Sequence, residues 1–191
     1  MVDAELIEPE TLARFTNGDM SAHEVKQLVD SLKIHVEGSM PIAGVINAEN
    51  GQKLSIYQAT KAGLIRKGTA YELLEAQAAC GKIVDVQTGR VLSVETASKT
   101  GVFDSEYEDV VMRASRAVIG YREPFKKEIL SLCEAISRHL VVERNGVRLL
   151  EAQVATGGII DMKSPLRLSI EAASRKGLLE SRLAKQLQVG F

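Results

Sequence analysis

Tryptophan is absent from this 191-residue chain, and phenylalanine and tyrosine number four each. So few ring faces argue against a nucleic-acid groove built on base stacking. Cysteine occurs twice, at Cys80 and Cys133. Two lone thiols suit a reducing compartment and read as small buried apolar residues. The three histidines, His23, His35 and His139, are far apart, and none stands at metal-ligand spacing from a cysteine or carboxylate. No metal site is expected from them. Gly-x-Gly-x-x-Gly and P-loop patterns are missing, so no phosphate-binding loop and no nucleotide cofactor is expected. Apolar runs are too short to span a bilayer, and no signal peptide is legible. A hydrophobic fraction of 45% and a net charge of −1 describe an ordinary soluble protein. At this length a single domain with a full core is expected.

What the chain does have is a period. Ser55, Ser93, Ser131 and Ser169 stand 38 residues apart, and each follows a leucine. The same register aligns Ala59, Ala97, Ala135 and Ala173, then Leu64, Val102, Leu140 and Leu178. Gly63, Gly101 and Gly177 share a column in which the third copy has His139. Leu-Leu-Glu-Ala-Gln at 73–77 recurs two periods later at 149–153. A fixed period of this length means one supersecondary unit stacked on itself. Such arrays present a continuous surface to a large partner.

Each copy reads as a β-hairpin followed by two helices. Val45-Ile46, Asn50-Gly51 and Leu54 form apolar, turn and apolar segments. Ile83-Val84, Thr88-Gly89 and Val91-Leu92 repeat that order, as do Ile159-Ile160, Ser164-Pro165 and Leu168. Asn-Gly suits a tight hairpin turn. The serine then caps a helix, and Ser55 with Gln58 and Ser131 with Glu134 have capping-box spacing. This first helix is predicted to run about nine residues, until the glycine column stops it in the left-handed conformation. A second helix is predicted over 70–79, 106–118, 147–155 and 182–189, with the paired leucines facing inward. Repeats fall at 42–80, 81–118, 119–156 and 157–191. Residues 1–41 match less well. Their 17–25 stretch resembles a degenerate turn, capping serine and helix, so the segment reads as a divergent half-unit capping the array.

Catalytic residues are not expected. The serines are explained as caps, and no histidine accompanies them at a fixed offset, so nothing reads as a nucleophile with its base. The cations are more informative. Lys61, Lys99 and Arg175 share a column at the end of the first helix, and Arg138 and Lys176 share the next. A cation there is stabilised by the helix macrodipole, which is one reading of its presence; its repetition favours a functional one. A second set, Lys53, Arg90, Lys126, Lys127 and Arg167, falls at the hairpins. In a stacked array equivalent columns become lines in space, so these ten cations are the candidate surface for an acidic partner. Charge is also uneven along the chain: residues 1–42 carry three basic and eight acidic side chains, residues 157–191 six basic and three acidic.

These residues resemble the plectin repeat of the plakin cytolinker family. The resemblance rests on Leu-Leu-Glu-Ala-Gln-x-Ala-(Cys/Thr)-Gly at 73–81 and 149–157, and on Ile-(Val/Ile)-Asp at 83–85 and 159–161. It rests also on Leu-Ser-(Val/Ile)-Glu-x-Ala-x-(Lys/Arg)-x-Gly-(Leu/Val) at 92–102 and 168–178, and on Ala-Ser-Arg-Ala-Val-Ile-Gly-Tyr at 114–121. It implies an α+β repeat fold, about four and a half plectin repeats of 38 residues, each a hairpin plus two antiparallel helices, stacked into one globular module spanning 1–191. The implied function is non-catalytic. Acidic coiled-coil rods of intermediate filament proteins, vimentin and keratins, would dock in a basic groove made from the ten cations, without cofactor, nucleic acid or membrane insertion. The alternative is a scaffold module of cell junctions or the cornified envelope that binds a globular partner, other plakins and junctional proteins included. The implied setting is cytoplasmic, on the cytoskeleton and at desmosomes, with the domain itself monomeric. The third copy departs from the pattern at His139 and at Lys126-Lys127-Glu128, where the family has a glycine-containing turn.

Overall fold

The structure, a computed structural model, describes residues 9–28, 41–163 and 167–189. Helix α1, Pro9–Asn17, has no buried residue. Helix α2 occupies 22–28. Between them Gly18 takes a φ of 77°. The Ser21 hydroxyl accepts from the Glu24 N–H at 3.3 Å, and the Glu24 carboxylate accepts from the Ser21 N–H at 2.8 Å. That is the turn, capping serine and helix expected at 17–25. Residues 1–8 and 29–40 of the predicted half-unit, and the Ser164-Pro165 turn, lie outside the described residues.

Four similar units follow. The first is β1 Gly44–Ile46, β2 Lys53–Ser55, α3 Ile56–Lys61 and α4 Lys67–Ala79. The second is β3 Ile83–Asp85, β4 Arg90–Leu92, α5 Val94–Lys99 and α6 Ser105–Ile119. The third is β5 Tyr121–Arg122, β6 Ile129–Leu130, α7 Leu132–Ser137 and α8 Glu143–Ala155. The fourth is β7 Ile159–Ile160, β8 Arg167–Leu168, α9 Ile170–Arg175 and α10 Ser181–Val189. Each hairpin is its own antiparallel two-stranded sheet. Isolated hairpins this short are marginal in water, so the helices packed against them supply their stability.

All four serines cap. Ser55, Ser93, Ser131 and Ser169 accept from the backbone N–H three residues on, and Ser55–Gln58 and Ser131–Glu134 close reciprocal capping boxes. The first helices are six residues long rather than nine. The serine and the two closing residues are caps that flank the six residues with helical dihedrals. Gly63, Gly101 and Gly177 end them at φ 72°, 72° and 70°. In the third unit His139 holds the same left-handed place at φ 59°, the only non-glycine at positive φ among the described residues. The second helices begin up to four residues earlier than predicted. Their first turns are largely polar and exposed, so no apolar period marks them.

The hairpin turn is wider than Asn-Gly suggests. Six residues, 47–52, link β1 and β2, the Gly51 N–H donates to the Asn47 carbonyl at 2.8 Å, and only Gly51 of the pair is left-handed at φ 70°. Gly89 and Asp85 repeat that bond at 2.8 Å. The side chain at the start of the loop organises it. Asn47 accepts from the Glu49 N–H, Asp85 from the Gln87 N–H and Asp161 from the Lys163 N–H, each at 2.9 Å. These are Asx turns. Glu123 fills that column in the third unit, and its longer side chain is paired with Arg138 instead.

The core lies between the long helices, with α4 packed against both α6 and α8. Leu74, Val111, Leu150, Leu183 and Leu187 are 2% exposed or less. The alanine column is at 0% in all four units, because each first helix lies too close to its neighbours for a larger side chain. Leu73 is only partly buried, so of the first leucine pair just Leu74 sits fully inside. Two buried glutamines tie the units together. Gln77 donates to the Ile42 carbonyl at 2.6 Å and accepts from the Val84 N–H at 3.2 Å. Gln153 donates to the Ala79 and Ala117 carbonyls at 3.0 and 3.2 Å and accepts from the Ile160 N–H at 3.1 Å. Both close backbone groups of the hairpin before or after their helix. In the same column Ser115 reaches only its own helix, at the Met112 carbonyl.

Candidate functional site

The ten predicted cations separate by environment. Lys61 and Lys99 are the last residues of α3 and α5, exposed, with no carboxylate at ion-pair distance among the described residues. Lys61 also lies 5.3 Å from the Tyr57 ring centre, a cation–π contact that orients it without neutralising it. Lys53 on β2 and Arg90 on β4 are exposed as well. The Gln87 side-chain amide donates to the Lys53 carbonyl at 3.0 Å, which seats the second hairpin against the first and puts these two cations on adjoining hairpins. Lys126 and Lys127 are exposed in the third hairpin loop, and Arg175 is exposed at the end of α9.

The other three have partners within the fold: Arg138, itself exposed, and the partly buried Lys176 and Arg167. Arg138 is paired with both Glu123 and Glu128. Lys176 bonds Asp161 at 2.9 Å, and that carboxylate is 2% exposed. Arg167 turns inward: one terminal guanidinium nitrogen donates to the Cys80 carbonyl at 2.5 Å, and the other terminal nitrogen is buried with no hydrogen-bond partner among the described residues. Arg167 and Ile160 are opposite each other in a ladder of only two pairs, packed against the end of α4.

A cleft of about 370 Å³ runs between the third and fourth units. Its apolar wall is Ile129, Ile160, Met162 and Leu178, and of the ten cations it contains only Arg138. Glu128, Glu134 and Asp161 also line it. Hydrogen bonds from Ser131, backbone first, hold the Glu134 carboxyl below its ordinary range against a smaller effect of burial. Burial pushes Asp161 upward, but Lys176 and the Lys163 N–H outweigh it and bring the carboxyl below its ordinary range. This cleft is therefore of mixed charge. The exposed cations sit on hairpins and helix ends, outside it. Cys133 opens onto it, and burial pushes the thiol up to about 12, so it is protonated and unreactive at neutral pH. Cys80 is likewise buried, accepts from the Thr156 hydroxyl, and is raised by burial. Among the described residues no three histidine, cysteine or carboxylate side chains gather as metal ligands.

Sequence reading did not single out the Asx column or the buried glutamines. Their signal is present: Asn47, Asp85 and Asp161 keep the 38-residue period, and Gln77 and Gln153 are two periods apart.

Comparison with known proteins agrees with this geometry. The plectin-repeat family model matches residues 37–73, 73–111 and 149–187. The unmatched stretch contains the hairpin and first helix of the third unit, where Glu123 and His139 break the pattern. Epiplakin of Mus musculus is 40% identical over 122 residues, covering 64% of this chain. Desmoplakin-B of Danio rerio is 39% identical over 109 residues, covering 57%. Microtubule-actin cross-linking factor 1 of Mus musculus is 33% identical over 174 residues, covering 89%. The chain spans only 2 to 5% of the length of these relatives. With repeated motifs, four hairpin and helix-pair units and a family match over more than half its length, the chain belongs to the plectin-repeat family of the plakins.

Proposed function

We infer that the chain is a non-catalytic cytolinker module that binds intermediate filaments by electrostatic docking of acidic coiled-coil rods. Vimentin and keratins are the partners of the expected chemistry. The observation that carries this reading is the set of six exposed cations without ion-pair partners among the described residues: Lys53, Lys61, Arg90, Lys99, Lys126 and Lys127. Two pairs of them occupy comparable places in successive units. A single exposed charge pair contributes little, about 0.2–1 kcal/mol, but a row of them facing an acidic rod sums to useful affinity and sets orientation and on-rate.

The test is charge reversal. Lys53→Glu with Arg90→Glu should weaken binding to a purified vimentin rod about tenfold or more, with no change in urea midpoint. Unchanged binding would remove the hairpin cations from the site. The second reading, a junctional or cornified-envelope scaffold that holds a globular partner, is favoured by exposed apolar side chains such as Ile119 and Val142, 63% and 69% exposed. It predicts binding that resists salt. Under either reading the module needs no cofactor and works in the cytoplasm on the cytoskeleton or at desmosomes. Among the described residues no helix is long and apolar enough to cross a membrane.

A further inference from the structure

The third hairpin differs from the other three in a way that rod docking does not use. Its loop, 123–128, carries Phe125 at 97% exposure, the most exposed large apolar side chain described. The same column holds Glu49, Gln87 and Lys163 in the other units, all polar. Phe125 is not alone. Ile129, 59% exposed, and Pro124 join it along a shallow cleft of about 490 Å³. Arg122, Lys126 and Lys127 line the same cleft and are exposed. Arg138 draws both carboxylates of the loop, Glu123 and Glu128, to itself. An aromatic ring is therefore displayed among three cations, while Glu123 and Glu128 share the one guanidinium of Arg138 and keep a single net negative charge between them.

A lone exposed apolar residue requires no explanation. An exposed ring beside a second apolar side chain, with a charged rim of one sign, has the composition of a binding anchor: aromatic and arginine residues dominate interface hot spots, and a polar rim excludes water. We propose that the third hairpin is a docking surface for an acidic protein segment, an amphipathic helix whose apolar row receives Phe125 and Ile129 while its carboxylates meet Arg122, Lys126 and Lys127.

Charge complementarity selects an acidic occupant, and magnitude selects protein over lipid. A whole myristoyl chain holds a protein on a bilayer only marginally, and one phenyl ring buries far less apolar surface. A complementary helix adds a fixed pocket and paired carboxylates, which a fluid surface lacks. This surface shares Lys126 and Lys127 with the filament reading, but Phe125 and Ile129 distinguish it, and it needs neither a rod nor the cations of the first two units.

The experiment titrates the full 191-residue chain into a labelled synthetic peptide helix with leucines on one face and glutamates on the other, followed by fluorescence anisotropy. Saturable binding is expected. Phe125→Ala should weaken it about tenfold, Phe125→Leu should restore most of it, and Lys126→Glu with Lys127→Glu should weaken it in a salt-dependent manner. Circular dichroism and the urea midpoint should not move, because the ring is outside the core. Absence of binding, or Phe125→Ala binding as tightly as the parent chain, would overturn the proposal. Cosedimentation with vesicles of phosphatidylcholine and phosphatidylserine forms the second arm. Phe125-dependent vesicle binding without peptide binding would replace the acidic protein with a lipid surface and equally overturn it.

Discussion

The side chain at residue 139 shows how a single position sets local strain. In three units a glycine ends the first helix in the left-handed region at little cost. His139 adopts the same conformation at φ 59°, which costs a non-glycine residue about 1 kcal/mol or more. His139→Gly should therefore stabilise the chain by about 1 kcal/mol, offset in part by the greater freedom of glycine when unfolded, as a higher urea midpoint would show. Ser169→Ala should cost about 1 kcal/mol by removing a cap. Asp161 gives a pH signature. Its carboxyl is depressed in the folded state, so the stability it contributes is complete above the unfolded value of about 3.9 and is lost as pH falls through the lower folded one. Asp161→Asn should flatten that acid limb in urea titrations between about pH 5 and pH 2. A limb that stayed as steep in the variant would assign the loss to other carboxylates.

At the scale of elements, hairpins and helices are held in register by polar groups inside the core. Gln153 closes three backbone groups, one from each of the other three units. Replacing it with alanine would leave buried donors and acceptors unpaired at about 1–3 kcal/mol each, so a loss of several kcal/mol is expected in urea denaturation. Salt links repeat the same geometry with the charges exchanged. Lys67 opening α4 bonds Glu106 of α6 at 2.8 Å, and Glu143 opening α8 pairs with Arg182 of α10. Both partners are exposed in each case, so they guide register more than they stabilise. Arg167 belongs to this scale too. Arg167→Glu should destabilise the fold by about 2–4 kcal/mol, because it sets a carboxylate against the Cys80 carbonyl; Lys53→Glu should not.

Across the whole molecule, the period made most of the fold legible. The serine column announced four helix starts and the glycine column three of the four stops, because caps depend on local chemistry that a sequence displays directly. Which cations face outward was not legible. Lys53 and Arg167 occupy the same column, yet one is exposed and the other reaches into the body to Cys80. That difference depends on neighbouring units, which periodicity alone does not describe. Arg138 and Lys176 find their partners within their own units, at Glu123 and Asp161, 15 residues away on a hairpin. Most of the ten cations expected in a groove are exposed side chains on hairpins and helix ends.

Filament docking by those cations is tested most directly by cosedimentation of the chain with purified vimentin rod across a salt series. Between about 50 and 200 mM salt the screening length falls from about 14 to about 7 Å. The account predicts binding that falls steeply over that range, and less steeply in the Lys53→Glu, Arg90→Glu variant. Binding that is indifferent to salt, or no binding even at the low end, would contradict it.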